Sequence, residues 1–264
     1  MDPLAPLISA LHDESRLRVW SLVITAFGDL VQHRGGVIST ARLGALMGRI
    51  GVGSGALRTA LSRLGRDGWV ERDRRGRTSF YRLNASGAAK FGPATQRIYA
   101  APRLVPVDEW AMVTRLTETG PQTRLFPQAG APADADLVLR GRIDQITEAY
   151  RQTTLEPAHR AALQALARDL QAIDAAQFDA GLDAAAARML LVHRWRRIVL
   201  RFDDPPFELL PADTPLENPR AAVAAAYLSV SDAAERWMDA GLDGEGAMPE
   251  AAPAFAQRFR DAVA

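Results

Sequence analysis

The sequence predicts a mainly α protein with α+β parts, and three observations carry that expectation. Residues 40–87 run helix, glycine-marked turn, helix, strand, basic turn, strand, the order of a winged helix-turn-helix. Residues 107–143 hold two short β-prone runs around a Gly/Pro-rich stretch. From residue 142 onward, apolar residues recur at helical spacing with few breaks.

Taken in order, residues 1–15 predict a lead of one or two helical turns. Residues 16–31 carry Leu17, Trp20, Val23, Ile24, Phe27 and Val31 near helical spacing, and Gly35-Gly36 ends that helix. Val37-Ile38 predicts a short strand able to pair with the later hairpin. Ser39 or Thr40 caps the next helix, residues 41–48, which packs on the first through Leu43, Leu46 and Met47. The turn at residues 49–53 is glycine-rich. It lacks the dinucleotide-binding spacing, and no Lys-Ser/Thr follows, so turn geometry accounts for its glycines.

Residues 54–67 predict the second helix, capped by the Ser54 hydroxyl and closed at Asp67-Gly68. Leu57, Ala60, Leu61 and Leu64 share one face. Gly55, Arg58, Thr59, Ser62, Arg63 and Arg66 share the other, which has no acid. Arginine pairs bidentately with a guanine edge, and Ser or Thr bonds bases or phosphates. A solvated amphipathic helix would show much the same pattern, so the hairpin decides. Residues 69–72 predict a strand, residues 73–77 a turn and residues 78–83 the return strand. Arg74, Arg75 and Arg77 crowd that turn and repel one another unless an anion such as a DNA phosphate lies opposite. Ser54, Arg58, Thr59, Ser62, Arg63, Arg66, Arg74, Arg75 and Arg77 are therefore the candidate DNA contacts, with Arg58 and Arg63 the candidates for base edges.

Residues 83–87 end the wing, and residues 88–102 lead out of it. Residues 109–113 and 135–140 predict strands, with a loop over residues 120–134. Helices are predicted over residues 142–153, 157–175, 184–201, 219–239 and 249–263. Pro157 and Pro219 sit where helix starts tolerate proline. The proline-rich residues 203–219 predict an ordered crossing loop. The resulting divisions are residues 1–90, 91–143 and 144–264.

Composition narrows the class. A chain of 264 residues has room for two or three domains, and 48% hydrophobic with 24% charged residues is globular. The absence of cysteine excludes disulfides, thiolate metal sites and cysteine nucleophiles. The N-terminus has no basic region ahead of an apolar core, and no apolar run is long enough to span a bilayer. The expectation is a soluble, cytoplasmic, nucleoid-associated protein with no membrane partner. The net charge of +1 hides an asymmetry: residues 1–90 hold 14 Arg and Lys against 7 Asp and Glu, and residues 91–264 hold 18 against 24. The basic part is the one with the winged-helix pattern, as a nucleic-acid module requires.

Several stretches together resemble the PaaX family of repressors, which control bacterial phenylacetate degradation. They are residues 21–29 with Arg34-Gly35-Gly36, residues 57–64 with Gly68-Trp69, then Tyr81-Arg82-Leu83 and Arg97-Ile98-Tyr99. The last group is residues 195–201 with Asp204-Pro205, Leu209-Leu210-Pro211 and Trp237. The resemblance implies a winged-helix N-terminal domain, a small ferredoxin-like (Cas2-like) middle domain and a helical C-terminal domain. It also implies a homodimer on a palindromic double-stranded operator, released by phenylacetyl-coenzyme A. One departure stands out. After the Trp110 strand the family has an Arg/Leu-rich helix and a Gly-Phe-Gly stretch. Here residues 117–134 are short and irregular, so the middle domain is trimmed and the effector's identity stays open.

A coenzyme A ester is polyanionic. The densest basic cluster outside the DNA-binding segment lies at residues 188–201, where Arg194, Arg197 and Arg201 could hold phosphates and Trp195 could stack on an adenine or line an acyl pocket. A core Trp195 with acid-paired arginines is the competing reading. The effector is expected between the middle and C-terminal regions. His12, His33, His159 and His193 have no metal-ligand spacing, so no metal site is predicted. There is no GxSxG elbow, and Asp203-Asp204 before two prolines reads as a cap or turn, so no catalytic residue is assigned and no enzyme is predicted. Two other classes remain: an acyl-coenzyme A-acting enzyme fused to a DNA-binding domain, and an effector-independent DNA-binding protein.

Overall fold

Helix α8 (Gly181–Val199) is the axis on which the other helices assemble. Its Ala184-Ala185-Ala186-Ala187 run is buried on every side. Four small side chains in a row let α9 (Pro219–Asp239) lie closely along it. Helices α7 (Pro157–Asp174), α1 (Ala5–Asp13), α2 (Val19–Ala26), α3 (Thr40–Arg49) and α5 (Ala85–Ile98) also contact α8. This computed structural model describes residues 2–13, 17–242 and 244–260.

A single apolar core runs from Leu4 through Phe27, Leu46, Leu61, Leu163, Trp195 and Tyr227 to Phe259, and so joins the two ends of the chain. Helix α2 continues into a π-helical turn, Phe27–Val31. Ser39 caps α3 by accepting the Arg42 amide at 3.0 Å. Helix α4 (Ser54–Arg66) buries Leu57, Ala60, Leu61 and Leu64 against α2 and α3. Its N-cap is Gly53, with no side-chain cap; Ser54 already lies inside the first turn, which corrects the capping role expected for its hydroxyl. Gly68 closes the segment at φ +66°, where a Cβ would be strained.

The hairpin that follows is tighter than the sequence suggests. Strands β2 (Val70–Arg75) and β3 (Thr78–Leu83) pair down to Arg75 opposite Thr78, so Gly76-Arg77 alone forms the turn and residues 73–75 belong to the strand. Strand β1 (Val37–Ser39) joins β3 antiparallel, giving a sheet ordered β1-β3-β2.

Residues 88–102 do not simply lead away. Asn84 caps α5 by accepting the Gly87 amide at 2.8 Å. The helix runs through Pro93 because its start is capped by Asn84 and its end is bonded to α8. Phe91 packs over Gly28 of the π-helical turn and edge-on to Trp69, Trp195 donates its indole N–H to Ile98 at 2.9 Å, and Arg97 donates to Val199 at 2.6 Å.

The middle segment is a three-stranded antiparallel sheet, ordered β5-β4-β6, of β4 (Trp110–Thr117), β5 (Gly120–Pro127) and β6 (Leu137–Gly141). The expected loop over residues 120–134 is thus half strand. Gly120 at φ +111° makes a two-residue turn after Thr117, and the prolines at both ends of β5 are tolerated on an edge strand. A ferredoxin-like domain has four strands and two helices; between Trp110 and Gly141 the structure has three strands and one 3-10 turn, Gln128–Gly130. The helix expected over residues 142–153 shrinks to α6 (Glu148–Arg151). The one expected over residues 249–263 is a 3-10 turn at Pro253–Gln257, with residues 261–263 outside the described set. Pro249 and Pro253 interrupt the tail, and the mostly exposed residues of α6 leave it too few packing contacts to hold a longer helix.

At the junction of the two ends, Asp29 is fully buried in the π-turn. Its carboxylate accepts from Tyr99 at 2.8 Å, Tyr227 at 2.9 Å, and Arg188 and Arg258 at 3.1 Å. Burial alone would raise its pKa, but the two guanidinium groups outweigh burial and hold it below the ordinary value. Replacing Asp29 by Ala takes the carboxylate from Arg258 and leaves Arg188 with Glu235 alone, and should cost about 3–5 kcal/mol. Urea denaturation would show this as a lowered midpoint; an unchanged midpoint would mean that those arginines do not need the carboxylate.

Candidate nucleic-acid interface

With its inner residues committed to the core, α4 turns its other face outward. Ser54, Arg58, Thr59, Ser62, Arg63 and Arg66 are all exposed, with no acidic side chain inside the helix. Beside it projects the β2–β3 hairpin, on which Arg72, Arg74, Arg75 and Arg77 are exposed. The hairpin manages its own repulsion in part. Arg75 pairs with Asp73 at 2.9 Å and lies over Phe80 at 5.0 Å, Arg72 bonds Ser79, and Arg82 pairs with Glu71. Arg74 donates to the Gly76 carbonyl at 3.3 Å, which fixes it at the tip.

The six α4 candidates divide by direction. Ser54, Arg58, Ser62 and Arg66 are exposed and lie outside the groove described below. Thr59 and Arg63 lie on the flank nearest α2, where the Arg63 guanidinium sits 5.8 Å from the Trp20 ring centre and 3.4 Å from Asp67. Of the two arginines expected to read base edges, Arg63 is therefore the one turned toward α2, and Arg58 lies away from that flank.

That flank opens into a groove of about 1410 Å³ walled by α2, α4, α7 and α8. Arg18, Arg63, Arg194, Arg196, Arg197 and Arg201 line it, and no Asp or Glu does among the described residues. One wall is the alanine face of α7, Ala158, Ala161, Ala162 and Ala165. The effector candidates separate here. Arg194, Arg197 and Arg201 line the groove. Trp195 is 1% exposed, bonded through its indole to Ile98, and is not among the groove's lining residues, so the expected stacking role gives way to a core role. Arg194 also pairs with Asp169. The groove that these arginines line faces α4. Sequence reasoning placed Arg196 in the basic cluster but missed Arg18, because nothing local shows that residue 18 and the end of α8 meet across the fold. Arg196 donates to Ser21, and burial, with Arg197 beside it, lowers its pKa to about 10.

Among the described residues no group of three or more His, Asp or Glu gathers as a metal site, and no helix is long and apolar enough to cross a membrane.

Fold and surface together define a mixed α/β protein that presents one helix and one basic hairpin around an α-helical core. The chain belongs to the PaaX-like protein family: that family's profile matches residues 18–87, and the profile of the PaaX-like protein C-terminal domain matches residues 144–240. The transcriptional repressor PaaX of Escherichia coli (strain K12) is 26% identical, over 90% of this chain and 89% of that one. Among solved structures, the uncharacterized protein Rv0674 from Mycobacterium tuberculosis is 18% identical, with a TM-score of 0.47 and coverage of 84% of this chain and 99% of that one.

His193, at the back of the groove, bonds Thr25 at 2.9 Å, and burial together with Arg196, Arg197 and Arg194 lowers its pKa to about 3. It is neutral at pH 7. As pH falls from about 6.5 toward 3, the unfolded chain takes up a proton here that the folded one refuses. Stability should drop by up to about 1.4 kcal/mol per pH unit from this group. Glu235, lowered to about 2 against its burial by His33 and Arg188, adds to the loss below about pH 4.5. Thermal melts between pH 7 and 5 should show a shallower decline in His193→Gln than in the parent; equal declines would assign the slope to other groups.

Proposed function

We propose that this protein is a DNA-binding transcriptional repressor of the winged helix-turn-helix kind, not an enzyme. The observation that carries the reading is the exposed, acid-free face of α4 beside the arginine-bearing β2–β3 hairpin, in the basic part of the chain. Membership of the PaaX-like family, and a relative named as a transcriptional repressor, support it.

In this reading α4 enters the major groove, which admits a helix, and places Arg58, Ser62 and Arg66 against base edges. Ser54, Thr59 and Arg63 reach the flanking backbone or the outermost bases. Arg74, Arg75 and Arg77 grip phosphates beside the groove. A homodimer sets two α4 helices about one turn of DNA apart, roughly 34 Å, on a palindromic operator. The operon controlled is one for aromatic-acid, phenylacetate-type catabolism. The signal is an aryl- or acyl-coenzyme A ester, held by Arg194, Arg197 and Arg201 in the groove behind α4. Release requires that this ester bind the free and DNA-bound states unequally.

The test is binding to the chain's own upstream DNA at fixed salt, titrated with phenylacetyl-coenzyme A and, separately, free phenylacetate. Specific binding lost with the ester alone supports the whole reading; binding indifferent to both keeps the DNA-binding function and removes the effector. Arg58→Ala should cost about 1–3 kcal/mol and relax preference at one base pair, whereas Arg77→Ala should weaken all sequences alike and lower the salt slope by about one. Arg58→Ala with unchanged affinity and specificity would show that the wrong face of α4 has been assigned.

A further inference from the structure

The arginine groove and the outer face of α4 are one surface. A helix with its side chains is about 10–12 Å across and the major groove of B-DNA is about 12 Å wide, so both flanks of an inserted helix meet the phosphate walls. On α4 one of those flanks is Thr59 and Arg63, and these two residues line the groove. The phosphate strand on that side would pass over the groove's mouth. Arg197 and Arg201 stand exposed on its far wall, at the end of α8.

We propose that this groove is a phosphate site shared by two ligands, the DNA backbone and the phosphates of the effector, and that the effector releases DNA by displacing it. The proposal rests on the effector reading given above and adds how that effector acts. The chemistry on both sides is the same: several guanidinium groups and, among the described residues, no carboxylate lining the cavity favour any closely spaced set of phosphates. The alanine wall of α7 and the Trp20 ring add an apolar surface that suits the acyl end of an ester and that DNA does not use. Arg63 is the residue both ligands need. With the groove filled, its guanidinium is engaged on the inner side of α4 and the flank is closed to a phosphate strand. Neither a second conformation of the dimer nor a change in half-site spacing is required.

Displacement and remote coupling differ in a measurable way. The full-length protein is titrated with a fluorescent duplex of its upstream DNA, at fixed salt, in rising phenylacetyl-coenzyme A, and ligand heats are measured with and without saturating DNA. Displacement predicts that the apparent Kd for DNA rises in proportion to ligand without a ceiling, about tenfold at nine times the ligand Kd and about a hundredfold at a hundred times. It also predicts that DNA-saturated protein gives no ligand heat beyond that of exchange. A plateau in the DNA Kd, with ligand still binding the DNA complex, overturns the shared site and leaves the effector reading standing. Absence of ligand heat from the free protein, with specific DNA binding intact, overturns the effector reading and the shared site together. The variant R197A/R201A, altered only at exposed positions and checked by its melting temperature, should lose at least tenfold in ligand affinity and several-fold in DNA affinity. R63Q should weaken both ligands in the same way. Full DNA affinity in R197A/R201A with ligand affinity lost would separate the two sites and overturn the proposal.

Discussion

Asp29 carries its negative charge where water does not reach, and the two ends of the chain are assembled around it. The π-turn that holds it belongs to the N-terminal part. Arg188 comes from α8, Tyr227 from α9, Tyr99 from the end of α5, and Arg258 from the C-terminal tail. Arg258 also donates to the carbonyls of Gly28 and Asp29, two of the acceptors a helix end leaves open. A second centre, Glu235 on α9, collects Arg34, His33 and Arg188. Such a network adds little stability over an apolar packing of the same volume, yet it is costly to break one partner at a time. Its consequence is specificity: only one docking of α2 and α3 on α8 and α9 satisfies every charge.

That docking sets how α4 is presented. Arg42 of α3 reaches the last carbonyls of α9, at Trp237 and Ala240, and Arg49 joins the end of α3 to Asp183 in the first turn of α8. Helix α4 lies on α2 and α3, so its outward face is held by the C-terminal helices although none of them supplies that face. The hairpin is braced in the same way by α5, whose far end is bonded to α8. A DNA-reading surface mounted on this frame is rigidly tied to the helices that wall the arginine groove. Under the proposed function, that proximity would make communication between ligand and DNA a matter of adjacent side chains.

Much of this was legible in the amino-acid order. Alternating apolar and polar residues at helical spacing marked α3, α4, α7, α8 and α9, and the Ser39 cap, the Gly68 stop and the β2–β3 pair followed from local chemistry. The failures have local causes too. The Gly/Pro-rich residues 120–134 read as loop, but an edge position shelters prolines in β5; residues 88–102 read as a lead out of the wing, yet bonds to α8 hold α5 despite Pro93. The tail residues 249–260 carry apolar residues suited to a helix, yet their work is to deliver Arg258 and Phe259 to a site already built. Trp195 in a basic run resembles a ligand-stacking residue until Ile98 is seen to accept its N–H.

The sequence by itself determined the helix-turn-helix order, the acid-free face of α4, the basic hairpin and the charge asymmetry between the two parts of the chain. All of these depend on residues within a few positions of one another, where periodicity and turn chemistry act. Tertiary structure alone decided that Arg18, Arg63 and the arginines of α8 line one groove, that Arg63 sits on the flank facing α2 while Arg58 lies outside that groove, and that Asp29 binds groups up to 229 residues away along the chain. Those are consequences of how buried charge and apolar surface are shared between distant segments, and no local pattern encodes which segments will meet.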